Sequence, residues 1–180
     1  MREEIRLAGF GGQGVVLAGY ILGKAIAIYD GKNAIFTQSY GPEARGGACS
    51  AELVISDEEI DYPLISRPQV LVLLSQEAFQ KYGPLVNEGG IVVIDSHLVH
   101  TTTEGKRVYR IPFTRMAEEL GNRIAANIVM LGFLTAVSGI VSKEAMEESI
   151  RTTVSTRTVE LNLRAFAAGY ALAKTPEAVA

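Results

Sequence analysis

A chain of 180 residues, 48% hydrophobic and with a formal charge of −3, is long enough to bury about 70% of the surface that its unfolded form exposes, so it needs neither a disulfide nor a metal to hold a fold together. Acidic and basic residues are mixed along it, which removes the electrostatic case for nucleic acid binding. The single cysteine, Cys49, excludes an internal disulfide and any four-cysteine iron–sulfur or zinc site, so an iron–sulfur cluster would have to sit on another polypeptide.

Met1-Arg2-Glu3-Glu4 is charged and leads straight into apolar sequence. No signal peptide is expected there, no run is apolar for long enough to span a bilayer, and the cytoplasm is the default location. The segment from Ile5 then enters a loop with glycine at 9, 11, 12 and 14, and the loop opens an apolar helical stretch reaching about Ile28. This reads as strand, tight turn and helix. Glycines can take positive φ and admit a ligand to the backbone, while the first N–H groups of the helix point into the same space with the positive end of the dipole.

Gly9-x-Gly11-x-x-Gly14 fits the dinucleotide fingerprint, but the acid that should close the second strand and hold a ribose is missing. That strand, Asn33 to Thr37, ends in Gln38 and Ser39, and Asp30 belongs to the turn before it. No Gly-Lys-Ser or Gly-Lys-Thr supports a P-loop either. Two readings stay open: a loop for a phosphate-bearing ligand, or a turn that only lets helix and strand pack closely.

Ser39-Tyr40-Gly41-Pro42-Glu43-Ala44-Arg45-Gly46-Gly47 forms the second informative loop. At a strand's carboxyl end it is placed to complete a site with the first loop, although Glu43 and Arg45 could equally pair in solvent and shape the turn. Ala48 to Ile55 reads as a half-exposed strand, antiparallel or at a sheet edge because it follows too closely for a helical crossover. Cys49 reads as a packed small residue. Ser56 to Glu59 is a charged turn, and Ile60 to about Pro68 is irregular.

Val70 to Leu74 and Ile91 to Ile94 are continuous apolar runs, as in strands buried on both faces. Between them Ser75 caps a helix that stops before Gly83-Pro84. Asp95 is expected to be a turn residue, and His97 and His100 to be solvated without a metal. Lys106 to Pro112 is a short exposed strand. Helices follow over Thr114 to Leu120, Arg123 to Val137, from Ser142, and over Val154 to Lys174, with Val159, Leu163, Phe166 and Tyr170 on one face of the last. The Arg123 to Val137 helix is apolar nearly all round and carries Ala125, Ala126, Gly132 and Ala136, so it is buried by its own fold or by another subunit. The whole predicts a single domain over 1–180 with a loose tail at 175–180: a three-layer α/β sandwich with a mainly parallel, Rossmann-like central sheet flanked by helices.

Every familiar catalytic constellation is missing: no Gly-x-Ser-x-Gly elbow, no close Cys and His, no isolated carboxylate pair. The chain reads as a binding subunit of a larger oxidoreductase. The alternative is a free-standing Rossmann-type nucleotide-binding oxidoreductase.

Three blocks in order, Gly9-Phe10-Gly11-Gly12-Gln13-Gly14, Thr37 to Gly47 and Ser56 to Pro63, resemble the gamma subunit of 2-oxoacid:ferredoxin oxidoreductases, and most of all the 2-oxoglutarate (2-ketoglutarate) branch. The resemblance extends to Asn127 and to the Asn162–Tyr170 segment, with Gln69 standing where Asp would be expected. It implies a fold like domain III of pyruvate:ferredoxin oxidoreductase, and a hetero-oligomer of alpha, beta, gamma and delta subunits. That complex oxidatively decarboxylates a 2-oxoacid to an acyl-coenzyme A, acting on the oxo group with an iron–sulfur protein as acceptor and reducing ferredoxin. Thiamine diphosphate, magnesium and 4Fe-4S clusters would belong to partner subunits, nothing would be bound covalently here, and the chain alone would be inactive. Its part would be to hold the phosphates of coenzyme A and support assembly. The expected contacts are Gly9, Gly11, Gly12, Gln13, Gly14, Val15, Tyr40, Gly41, Glu43, Arg45, Gly46 and Gly47, with no catalytic residue and no metal. The second loop could instead touch the thiamine-bearing subunits, and the isolated chain could form a homodimer.

Overall fold

In a computed structural model, which describes residues 2–41, 47–101 and 107–174, six strands form one sheet in the order β2-β3-β1-β4-β5-β6. The strands are β1 (Arg2–Phe10), β2 (Asn33–Tyr40), β3 (Ala48–Ser56), β4 (Val70–Leu73), β5 (Ile91–Asp95) and β6 (Arg107–Ile111). β1, β4, β5 and β6 run parallel, whereas β3 is antiparallel to both of its neighbours. The helices are α1 (Val15–Lys24), which runs on as a π-helical turn over Ala25–Tyr29, α2 (Gln76–Tyr82), α3 (Phe113–Glu119), α4 (Ala126–Ser138), α5 (Lys143–Arg151) and α6 (Val159–Leu172).

The period-2 geometry of strands sorts the apolar residues into two cores. Ile5, Leu7, Leu53, Val70, Val72 and Val93 face one way and meet residues of α1, α3, α4, α5 and α6. Ala8, Leu71, Leu73, Val92 and Ile94 face the other way and meet α2 through Ala78 and Phe79. The expected three layers are therefore present, with the helices shared unequally between the two faces.

Three expectations need correction. β3 is antiparallel, one of the two placements expected, but it is neither half-exposed nor at an edge: it lies between β2 and β1, and Cys49, Ser50, Ala51 and Leu53 through Ser56 are buried. The close contact of α1 with it is made possible by Gly19, which faces Ala51 and Phe36, and by Gly23, which faces Leu53. On the opposite face the irregular segment is pinned down by Arg2 donating to the carbonyls of Tyr62 and Leu64, and by Arg6, which donates to the Ile65 carbonyl at 3.4 Å while pairing with Glu52 at 2.8 Å and lying over the Tyr82 ring. β6 is at an edge but not exposed, since Val108, Tyr109 and Ile111 enter the core. The last helix starts at Val159 rather than Val154, because Ser155 and Thr158 turn the chain with hydroxyl and backbone bonds that compete with helix.

The small residues of the long helix are used inside the chain. A Cβ on Gly132 would collide with the Phe166 carbonyl, and one on Gly169 with the Val129 carbonyl, so α4 and α6 cross backbone to backbone. The face that could have awaited another subunit is covered by α6. Asp30 proves to be more than a turn residue: its carboxylate accepts from the Ser142 N–H and hydroxyl at 2.7 and 2.6 Å and so anchors the start of α5.

Cys49 is 7% exposed, and burial raises its thiol pKa above the ordinary value. A raised pKa leaves less thiolate near neutral pH, and the thiolate is the reactive form. The thiol is therefore expected to react with a disulfide reagent only after denaturant is added; stoichiometric labelling of native protein within seconds would contradict this placement.

Candidate functional site

β1 ends at Phe10, and the next four residues turn the chain into α1 at the carboxyl edge of the sheet. Gly12 and Gly14 have φ of 93° and 71°, the left-handed region that glycine enters without strain. Gly14 is the N-cap of α1, no side chain caps it, and the first turn holds no acid. The opening N–H groups of a helix have no partner within it, so this end offers donors and a positive dipole to an anion. Val15, the first helical residue, buries its side chain in the core and has only its backbone to offer.

Two of the predicted contacts serve the loop's shape. A Cβ on Gly9 would run into Gln13, Leu74 and Val15. Gln13 accepts from the Phe10 N–H at 2.7 Å and donates to the Leu74 carbonyl at 2.8 Å, lacing the ends of β1 and β4 together. Gly11 and Gly12 are the exposed glycines of the turn.

The structure also brings the second loop to the first. β2 and β3 deliver its two ends to the same edge, where Gly11 donates to the Gly47 carbonyl at 2.9 Å and Gly41 donates to the Ala48 carbonyl at 2.6 Å. Tyr40 stands 64% exposed beside them. Glu43, Arg45 and Gly46 lie outside the described residues.

On the other side of the glycine loop a cleft of about 170 Å³ opens between the ends of β4 and β5 and the start of α4. Gly12, Gln13 and Leu74 form one wall; Leu98, Phe113 and Thr114 form the next; and Arg123, Ile124 and Ala126 close it. Asp95, 1% exposed, forms its floor and accepts from the His97 N–H, the Thr114 N–H and the Thr114 hydroxyl. It is the turn residue expected of it. His97 and His100 are exposed, and no group of three metal-ligating side chains occurs among the described residues.

Asn127 on α4 and Arg123 in the 3-10 turn that leads into it complete the site. The buried Asn127 donates to the Gly14 carbonyl at 3.2 Å, fixing the loop from outside. Arg123 keeps its guanidinium at the rim, 3.7 Å from Glu118, with both side chains more than half exposed. Sequence reasoning missed Arg123 and Ile124 as site residues. The available signal was a cation and a large apolar residue directly after the Gly121-Asn122 turn, at the mouth of an otherwise buried helix.

The insertion of β3 also bears on which ligand fits. A dinucleotide site needs its ribose-binding acid on the strand next to β1. Here β2 lies two strand spacings away, roughly 10 Å, and ends in exposed Gln38, Ser39 and Tyr40, none of them an acid.

Residues 4–172 match the family described as pyruvate ferredoxin/flavodoxin oxidoreductase. The chain belongs to that family. A 2-oxoglutarate synthase subunit KorC of Methanocaldococcus jannaschii is 56% identical over 97% of this chain and 95% of its own length. A keto/oxoacid ferredoxin oxidoreductase gamma subunit from Geobacter sulfurreducens superposes with a TM-score of 0.90 at 42% identity, covering 100% of this chain and 99% of the other. A second structure, 2-oxoglutarate:ferredoxin oxidoreductase from Magnetococcus marinus with 2-oxoglutarate, coenzyme A and succinyl-CoA bound, matches at 25% identity with a TM-score of 0.87. There 96% of this chain aligns with 31% of the larger polypeptide. In this family, then, the fold occurs both as a separate subunit and as part of a longer chain.

Proposed function

We propose that this chain is the gamma subunit of a 2-oxoglutarate:ferredoxin oxidoreductase and that its glycine loop holds the phosphates of coenzyme A. The chain acts as a subunit of a multi-subunit oxidoreductase; the substrate and the role of the loop are the proposal. The observation that carries it is the uncapped start of α1 behind Gly11, Gly12 and Gly14, free of acidic residues and open to a cleft with Arg123 at its rim. Backbone N–H groups and a guanidinium are what a diphosphate requires.

The described residues contain no cluster able to bind a metal, and the single cysteine cannot supply a cluster's ligands. As the family resemblance implies, thiamine diphosphate with magnesium and the 4Fe-4S clusters are assigned to alpha, beta and delta partners, with ferredoxin as the acceptor of the complex. Tyr40 and the exposed end of β2 favour a second role for the Tyr40 to Gly47 loop, contact with the thiamine-bearing subunits. Glu43, Arg45 and Gly46 are assigned to one of these two surfaces.

Turnover of the assembled complex tests the loop. Gly12 has open space where a Cβ would stand but a φ of 93°. A valine there distorts the turn at a cost of about 1–3 kcal/mol without striking a neighbour. Gly12→Val is expected to raise KM for coenzyme A about tenfold or more, a loss of about 1.4 kcal/mol, while KM for the 2-oxoacid stays put. An unchanged KM for coenzyme A in a complex that assembles normally would refute the assignment.

A further inference from the structure

Independently of what the glycine loop binds, we infer that the outer edge of β2 pairs with β2 of a second copy of this chain, joining two six-stranded sheets into one and bringing Tyr20 of α1 from both copies to the seam.

The two edges of the sheet are built differently. β6 is five residues long, carries Arg107 and Arg110, and is followed by Pro112. Short length, charge and proline are devices by which edge strands avoid joining other chains. β2 uses none of them. Its eight residues, Asn33–Tyr40, hold no charge and no proline, and they pair with β3 in unbroken register, without a bulge. Among the described residues no strand lies on its other side. Lys32, the cation next to it in sequence, donates to the Ile140 carbonyl at 3.2 Å and is held at another part of the fold. The edge thus presents backbone donors and acceptors between uncharged side chains, a template for one more strand.

Symmetry identifies the occupant. A two-fold axis perpendicular to the sheet makes the two β2 strands antiparallel and leaves α1 of both copies on the same face. Residues opposite each other then share a face, so the register joins positions of like parity. Centred on Phe36, it sets Phe36 against Phe36, Ile35 against Thr37 and Asn33 against Ser39 of the second copy. Because β2 holds no charge, no charge within it meets its own image across the axis, the arrangement that would oppose pairing. Tyr40 lies past the paired residues, and its loop keeps the role proposed above.

A pair of strands alone is marginal in water, and the same axis adds the apolar area it needs. Phe36 faces α1, lying beside Gly19 and Gly23 and edge-on to Tyr20 at 6.4 Å between ring centroids. Tyr20 is nevertheless 49% exposed, and Val16, one turn earlier on the same face of α1, is only half-buried. Across the seam each Tyr20–Phe36 pair meets its copy, so aromatic rings from both chains close over the junction. A bare strand of another polypeptide would satisfy the backbone edge alone, whereas a second copy satisfies the edge and the rings together.

Sedimentation of the purified chain and cysteine cross-linking test the pairing. Wild type is expected at twice its 19.3 kDa at micromolar concentration. Thr37→Lys, which brings two cations together at the edge, and Tyr20→Lys, on the surface of α1, are each expected to weaken the dimer about tenfold or more while the circular dichroism of the folded chain is retained. A double variant, Ile35→Cys with Thr37→Cys, sets thiols opposite one another in the two copies. Mild oxidation is expected to turn it into a covalent dimer, in the isolated chain and in the assembled complex alike, and this readout stands even if a lysine variant does not fold. A wild-type chain that stays monomeric, a dimer indifferent to both lysine variants, or a double-cysteine variant that oxidises without forming covalent dimers would each overturn the pairing.

Discussion

Gly169→Val is expected to destabilise the chain by about 3 kcal/mol or more, a large share of the roughly 5–15 kcal/mol that a domain has. Gly169 faces the Val129 carbonyl so closely that no side chain fits, and Gly132 stands in the same relation to the Phe166 carbonyl. Added atoms would meet backbone, which cannot rotate away, so the two helices would have to separate. That would uncover Phe166, Val129 and Phe133, all fully buried. A loss of glycine by itself costs less: Gly89→Ala, at a φ of 74° with nothing near its Cβ position, is expected to cost about 1–2 kcal/mol through backbone strain alone. Urea titration of the two variants checks the difference. Equal midpoints would mean that α4 and α6 do not pack as described.

Asp95→Ala is the second large effect, expected at about 3 kcal/mol. The carboxylate is buried and accepts three hydrogen bonds, two from backbone N–H groups and one at 2.6 Å from the Thr114 hydroxyl. Truncation leaves those donors without a partner, and each buried orphan costs about 1–3 kcal/mol. Asp95→Asn retains one accepting oxygen and is expected to lose about half as much. Because the two bonds from Thr114 tie the end of β5 to the start of α3, both walls of the cleft, the alanine variant should also bind coenzyme A more weakly in the complex. Thermal melts of the purified chain report the first effect; a melting temperature unchanged by the alanine variant would show that Asp95 does not tie these elements together.

Much of this was legible in the residues. The glycine loop could be read because positive φ and close approach demand one residue type, and β4 and β5 because strands buried on both faces carry unbroken apolar runs. Ser75 was recognisable as a cap, and it accepts from the Ala78 N–H at 3.1 Å. β3 reads as half-exposed because its sequence alternates in part, and only the long-range choice to insert it, antiparallel as expected, between β2 and β1 buries it. Gly132 looks like part of a surface for a partner until α6 is known to return across α4, nearly 40 residues later in the chain. Arg123, Ile124 and Asn127 were hidden for the same reason. They approach the glycine loop from more than 100 residues away, and the one local signal, a cation and a large apolar residue after the Gly121-Asn122 turn, does not say what they meet.

Calorimetric titration of coenzyme A, with NAD as the comparison, into the complex assembled with wild-type chain and with Gly12→Val tests the central claim most directly. The account predicts that coenzyme A binds, that the Gly12 variant binds it about tenfold more weakly, and that NAD gives no heat of binding. Coenzyme A affinity identical in both complexes, or binding of NAD in its place, would contradict it.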